Sequence, residues 1–132
     1  MSGSNTSRVL YQVENNVAEI TLNRPENINA FDVYMRDDMF RVMKLFRDDP
    51  DARIGVINGR GEKGFCAGAD LKEFGTTPSQ FASRSIRWER DIWGLLNSIE
   101  KPIIASMHGH VIGTGIEIAA LCDIRISSHD AI

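Results

Sequence analysis

The chain has 132 residues, one domain's worth of polypeptide, and is 42% hydrophobic and 25% charged, ordinary proportions for a globular protein. A net charge of −3 and a pI of about 5.6 exclude a nucleic-acid binder that depends on a global positive field. No apolar run approaches the ~18 residues of a membrane span, so neither nucleic acid nor membrane is an expected partner.

Residues 1–7 are rich in Ser, Asn and Thr and lack an apolar signal region, so they read as a flexible tail ahead of a single core over residues 8–132. The expected compartment is the cytoplasm, with an organelle open to a chain whose transit peptide has been removed. Cys66 and Cys122 are far apart and have no CxxC partner, which suggests neither zinc nor a disulfide framework.

Arg8 to Glu14 and Val17 to Leu22 alternate as strands do, and Asn15-Asn16 between them is a hairpin signal. Asn23 to Asn27 is a loop broken by Pro25. Asp32 caps a predicted helix to about Asp48, with Met35, Met39, Val42 and Phe46 on one face. Arg53 to Asn58 is a short strand, and Gly59 to Gly68 a glycine-rich loop. Asp70 to Phe74 is a single predicted helical turn. Thr77-Pro78 starts a predicted helix to about Ile99, with Phe81, Ile92, Leu95, Leu96 and Ile99 inward. A strand from Pro102 to Met107, a short apolar helix and a last strand, Asp123 to Ser127, complete the chain. Strands alternating with helices make the class α/β. No internal repeat is visible at a fixed period.

The short helix carries the strongest chemical signal. Gly113-Thr114-Gly115-Ile116-Glu117 opens it, and a helix N-terminus presents unpaired N–H groups and partial positive charge. Glu117 lies one turn in, expected to be desolvated among Ile116, Ile118 and Ala120. A donor for a developing anion and an acid/base group thus fall within one turn. The same residues also fit a capping box, Thr114-x-x-Glu117, with a purely structural role.

The glycine-rich loop admits three readings. Gly59 to Gly64 fits the G-x-G-x-x-G dinucleotide fingerprint, which also requires a long helix opening at the third glycine. Gly64-Phe65-Cys66-Ala67-Gly68 resembles a nucleophile elbow with cysteine for serine, and Asp123 and His129 follow in hydrolase order. The third reading places the Ala69 N–H at the mouth of a turn. Paired with the Thr114 N–H, it makes a two-donor oxyanion hole suited to a thioester that forms an enolate. His108 and His110 flank Gly109 with no third ligand spaced to help, so they read as structural or pocket-lining. Asp123 and Arg125 read as a structural pair or cap. Trp88 and Trp93 read as core or interface residues.

Taken together, Asn23-Arg24-Pro25, Asn29-Ala30, the run Gly64 to Leu71, and the run His108-Gly109 to Cys122-Asp123 resemble the crotonase (enoyl-CoA hydratase/isomerase) superfamily. The motifs follow the family's order and spacing over nearly the whole chain. The resemblance implies a spiral of ββα units, here apparently truncated before the C-terminal helices. It implies acyl-CoA thioesters as substrates and assembly as a homotrimer or hexamer. It places the first oxyanion donor on the backbone of Ala69 and the second on the backbone of Thr114, where glycine is more usual. The side chain of Thr114 would narrow the acyl pocket. The catalytic glutamate falls on Glu117.

The same resemblance implies that Ala67, Ala69, Asp70 and Leu71 line the CoA site, with Arg24 and Lys72 near the CoA phosphates. Coenzyme A enters as part of the substrate, and no separate cofactor or metal is expected. The expected activity is hydration of a 2-enoyl-CoA. The alternatives are a non-catalytic CoA-binding or assembly fragment of the same fold and, further off, a cysteine hydrolase. Family members are longer and carry a second glutamate beyond Ile132, so residues 1–132 alone are expected to associate and to hydrate negligibly.

Overall fold

A two-residue turn starts the fold. Asn15 and Asn16 have φ of 53° and 67°, left-handed values that a tight hairpin requires and asparagine tolerates. They join β1 (Val9–Glu14) to β2 (Val17–Leu22) in antiparallel register, with Glu14 opposite Val17, as the alternation predicts. This computed structural model describes residues 7–70 and 91–132.

Asp32 caps helix α1 (Val33–Asp48), its carboxylate accepting the Met35 N–H at 2.8 Å. Met35, Met39, Val42 and Phe46 are fully buried, and Met43 joins them. The helical spacing of these side chains produces the apolar stripe that holds α1 to the rest of the core. At the other end Lys101 Nζ donates to the carbonyls of Phe46 and Asp49 at 2.7 and 2.8 Å. A cation is well placed there against the negative end of the helix.

Beyond α1 the chain alternates between two sheets. β3 (Ile54–Gly59), β5 (Ile103–Met107) and β7 (Ile124–Ser127) extend the hairpin in parallel, giving the order β1-β2-β3-β5-β7. The short strands β4 (Gly64–Cys66) and β6 (His110–Val111) pair in parallel as a separate small sheet. Helix α2 (Ile92–Ser98) precedes β5 of the large sheet, and α3 (Thr114–Leu121) leads from β6 of the small sheet to β7 of the large one. Among the described residues the order is β3-β4-α2 and then β5-β6-α3, a ββα succession met twice.

Two expectations change. The glycine-rich stretch is not one loop, because Phe65 and Cys66 are fully buried and form β4. The helix ending near Ile99 does not run unbroken from Pro78. Asp91 takes the N-cap position, accepting the Gly94 N–H at 3.1 Å, and α2 begins at Ile92. Ile92, Leu96 and Ile99 are buried as expected. The start of that predicted helix, with Phe81 and Trp88, and the predicted turn after Asp70 lie outside the described residues, as does the tail before Ser7. Trp93 packs partly buried against the core. Among the described residues no helix is long and apolar enough to cross a membrane.

Among the described residues, one side of the fold is apolar and exposed. Strand β7 forms the sheet edge and is exposed along its length, with Ile124 and Ile126 more than half accessible. Ile116 of α3 is also more than half accessible, although Ile118 and Ala119 of the same helix are buried. Between helix and edge lies a groove of ≈ 610 Å³ lined by Met107, Val111, Ile116, Ala119 and Ile132, among others. An unpaired edge beside an apolar patch favours association. Residues 1–132 expressed alone should therefore elute from size-exclusion chromatography above the monomer mass. Ile126→Lys should shift that population toward monomer. A monodisperse wild-type monomer would contradict this account of the surface.

Candidate active site

The small sheet brings two glycine turns together. The chain leaves β4 through Ala67-Gly68-Ala69 and leaves β6 through Ile112-Gly113-Thr114, and the Ile112 N–H donates to the Cys66 carbonyl at 3.0 Å. Gly68 has φ of +104° and Gly113 of +55°, values that side chains rarely allow. A Cβ on Gly113 would lie 3.7 Å from the Gly68 Cα, and one on Gly68 would lie 3.2 Å from the Ile112 carbonyl oxygen. The two turns are in van der Waals contact.

Each turn presents a free donor. Phe31 and Ala69 form a parallel bridge: the Phe31 N–H donates to the Gly68 carbonyl at 2.7 Å, and the Asp70 N–H to the Phe31 carbonyl at 2.8 Å. In that pattern the N–H of Ala69 itself faces away from Phe31. Gly113 is the N-cap of α3, so Thr114 is its first helical residue and its N–H has no intrahelical acceptor. Among the described residues neither the Ala69 nor the Thr114 N–H has an acceptor.

The capping box is not formed. It would need Thr114 at the N-cap, and Gly113 holds that position with no side-chain cap bond. The Glu117 N–H makes an ordinary helical bond to the Gly113 carbonyl at 3.1 Å. Glu117 lies three residues beyond Thr114, on the same face of α3. It is not desolvated as expected. The side chain is exposed, Ile116 and Ala120 are exposed beside it, and only Ile118 of the three expected neighbours is buried.

Arg24 is largely enclosed, with one guanidinium nitrogen taken up inside the protein. Its Nη1 donates to Asp70 Oδ2 at 2.8 Å and to the Ala30 carbonyl at 3.0 Å, and lies 3.6 Å from Asp32 Oδ2. The Ala67 N–H is engaged by the Ile28 carbonyl at 2.9 Å. Leu71 and Lys72 lie outside the described residues.

One residue that supports the site was legible only as part of a motif. Asn29 is wholly buried with φ of 54°. Its Nδ2 donates to the carbonyls of Arg60, Gly64 and Phe65 at 3.1–3.2 Å, and its Oδ1 accepts the Arg24 N–H at 2.8 Å. A polar residue in a left-handed turn between apolar neighbours was the available signal.

The competing chemistries lose their geometry. Gly64 opens a strand rather than a helix, so the dinucleotide fingerprint is not formed. Cys66 is buried, its Sγ–H donates to the Asn29 carbonyl at 3.2 Å, and burial pushes its thiol up to about 11. That environment opposes a nucleophilic thiolate. The proposed hydrolase partner Asp123 instead accepts the Ile103 N–H at 2.8 Å. Arg125 does not pair with Asp123 but donates to the Cys122 and Ala119 carbonyls at the end of α3, at 2.9 and 3.3 Å. His108 Nε2 lies 2.6 Å from the Gly61 carbonyl oxygen, and Nδ1 of His110 is buried without a hydrogen-bond partner among the described residues. No group of three His, Cys, Asp or Glu is placed to hold a metal among the described residues.

Fold and site together define a protein in which a small two-stranded sheet holds two glycine turns in contact, one of them opening a short helix. The sequence profile of the enoyl-CoA hydratase/isomerase family matches residues 12–132, and the chain belongs to this family, the crotonase superfamily. It is 40% identical over 125 residues to the (E)-benzylidenesuccinyl-CoA hydratase of Thauera aromatica, covering 93% of this chain and 48% of that protein. It is 38% identical over 118 residues to the carnitinyl-CoA dehydratase of Proteus mirabilis (strain HI4320), covering 87% and 43%. A crystal structure of an enoyl-CoA hydratase/carnithine racemase from Magnetospirillum magneticum superposes with a TM-score of 0.88 at 27% identity, over 94% of this chain and 47% of that one. The chain spans about half the length of the relatives it matches.

The state of Cys66 gives a direct check on the site. With its thiol buried and held at about 11, native protein at neutral pH should react with iodoacetamide far more slowly than denatured protein does. A rate equal to or above that of a free cysteine would return Cys66 to the nucleophile reading.

Proposed function

We propose that this sequence forms the oxyanion-binding half of a 2-enoyl-CoA hydratase. The observation that carries the reading is the pair of N–H groups of Ala69 and Thr114. Among the described residues they lack acceptors; they stand on two turns in contact and have a carboxylate one helical turn away. Hydratase and dehydratase names among the relatives support the same chemistry.

In this mechanism the thioester oxygen of a 2-enoyl-CoA accepts both N–H groups. Water adds to the β-carbon, and negative charge moves onto that oxygen as the enolate forms. Fixed donors at a helix N-terminus stabilise this charge without reorganising, an effect worth about 2.7–4 kcal/mol per donor. Glu117 orients the water and takes its proton as the C–O bond forms, then gives a proton to the α-carbon of the enolate, which completes the addition and restores the carboxylate. The backbone of Ala67, Ala69 and Asp70 lines the CoA path. The only coenzyme needed is the CoA carried by the substrate.

The exposure of Glu117 favours one second reading, a non-catalytic CoA-binding or assembly unit of the same fold. A general base works best with its pKa tuned by a dry surrounding, and the described residues do not provide one. In the proposed hydratase, Glu117 becomes enclosed when the open side of α3 is covered by further chain or by another subunit, in an assembly of trimer type.

The experiment compares wild type with Glu117→Gln in a chain of the relatives' full length, measuring butyryl-CoA affinity and crotonyl-CoA hydration. The variant should bind normally and lose about 10²–10⁴-fold in rate, the usual worth of one acid/base group. Binding by wild type without turnover would favour the second reading. Near-wild-type turnover by the variant would remove Glu117 from the mechanism.

A further inference from the structure

Arg24 sits 46 positions from Asp70 in sequence, yet its guanidinium lies against the turn that carries the Ala69 donor. The Phe31–Ala69 bridge fixes that turn through its backbone, with Gly68 and Asp70 each bonded to Phe31. Arg24 Nη1 adds a bond on each strand of the bridge, to the Ala30 carbonyl at 3.0 Å and to Asp70 Oδ2 at 2.8 Å. The residue before Phe31 and the residue after Ala69 are thereby tied to one rigid group.

The ion pair is shielded from water, with side-chain exposures of 12% for Arg24 and 10% for Asp70. Asp32, 6% exposed, stands 3.6 Å from the same Nη1 and 3.6 Å from Arg8 Nε. Among the described residues two arginines and two carboxylates thus meet around one guanidinium nitrogen and its neighbour. A charge enclosed this way holds its position better than a solvated one, because screening by water and salt is weak. The planar guanidinium bonds in fixed directions, which a lysine ammonium does not do.

We propose that Arg24 is a positioning residue for the reaction. Through Asp70 and Ala30 it sets the orientation of the Ala69 peptide, and hence the aim of the Ala69 N–H at the thioester oxygen. This rests on the hydration reading above, and it assigns Arg24 a role in the chemical step instead of in binding the CoA phosphates.

The test uses Arg24→Met, which keeps the apolar stem, and Asp70→Asn, which keeps size should the first variant fold poorly. Each is assayed in the full-length chain with crotonyl-CoA and with crotonyl-pantetheine, which lacks every CoA phosphate. Amide hydrogen exchange at Asp70 is followed alongside. Misaiming a group at the reacting centre costs up to about 10²-fold. Arg24→Met should therefore lower kcat by about that factor for both thioesters, with KM little changed. The Asp70 amide, bonded to Phe31, should exchange at least about tenfold faster as the turn loosens. Asp70→Asn should move both readouts the same way by a smaller amount.

A raised KM confined to crotonyl-CoA, with kcat intact, would make Arg24 a phosphate ligand and overturn the proposal. Unchanged kcat in a folded variant would overturn it too. A wild-type chain inactive on both thioesters would instead overturn the hydration reading, and unaltered exchange in Arg24→Met would then overturn the clamp on its own.

Discussion

The site depends on one buried side chain amide. Asn29 lies in a left-handed turn between the hairpin and α1, and its amide reaches the carbonyls of Arg60, Gly64 and Phe65 while accepting the Arg24 N–H. Its own carbonyl accepts the Cys66 thiol. Two of these bonds reach carbonyls of β4 inside the core, where a carbonyl that loses its partner costs about 1–3 kcal/mol. They also fix where β4 runs. Because β4 pairs with β6, they fix where the turn after β6 meets the turn after β4. The two donors of the proposed oxyanion hole come from those two turns.

Charge reinforces the same junction. The Arg24, Asp70, Asp32 and Arg8 cluster gathers the entry to α1, the loop before it and the donor turn around nearly buried ions. Ion pairs of this kind add little net stability, since desolvation offsets their attraction, yet removing one partner leaves an uncompensated buried charge. Their consequence is geometric, and it explains why a residue in the Asn-Arg-Pro loop bears on a turn far away in sequence. Asp32 serves twice, as N-cap of α1 and as a member of this cluster.

The hairpin and α1 were legible because their signals are local. Asn15-Asn16 names its own turn, and Asp32 followed by apolar residues at helical spacing names a capped amphipathic helix. β4 was not legible. Three residues, Gly64-Phe65-Cys66, are too few to show a period, and their strand conformation is imposed by Asn29 and β6. The repeated ββα unit escaped for a related reason. Its two copies use different loop lengths, so they share topology without a sequence period. At the site, glycines and a helix start mark where backbone donors are expected, and among the described residues neither the Ala69 nor the Thr114 N–H has an acceptor. Side-chain environments could not be placed. The exposure of Glu117 and the enclosure of Arg24 are set by residues distant in sequence, which a linear reading does not bring together.

The central claim is that Ala69 and Thr114 act as one anion-binding pair. The most direct measurement is a titration of ¹⁵N-labelled protein with butyryl-CoA, a thioester that cannot be hydrated, while the two amide resonances are followed. The Ala69 and Thr114 N–H signals should move downfield together along a single saturation curve. The Asp70 amide, already bonded to Phe31, should move much less. Saturable binding that leaves either donor resonance in place would contradict the account.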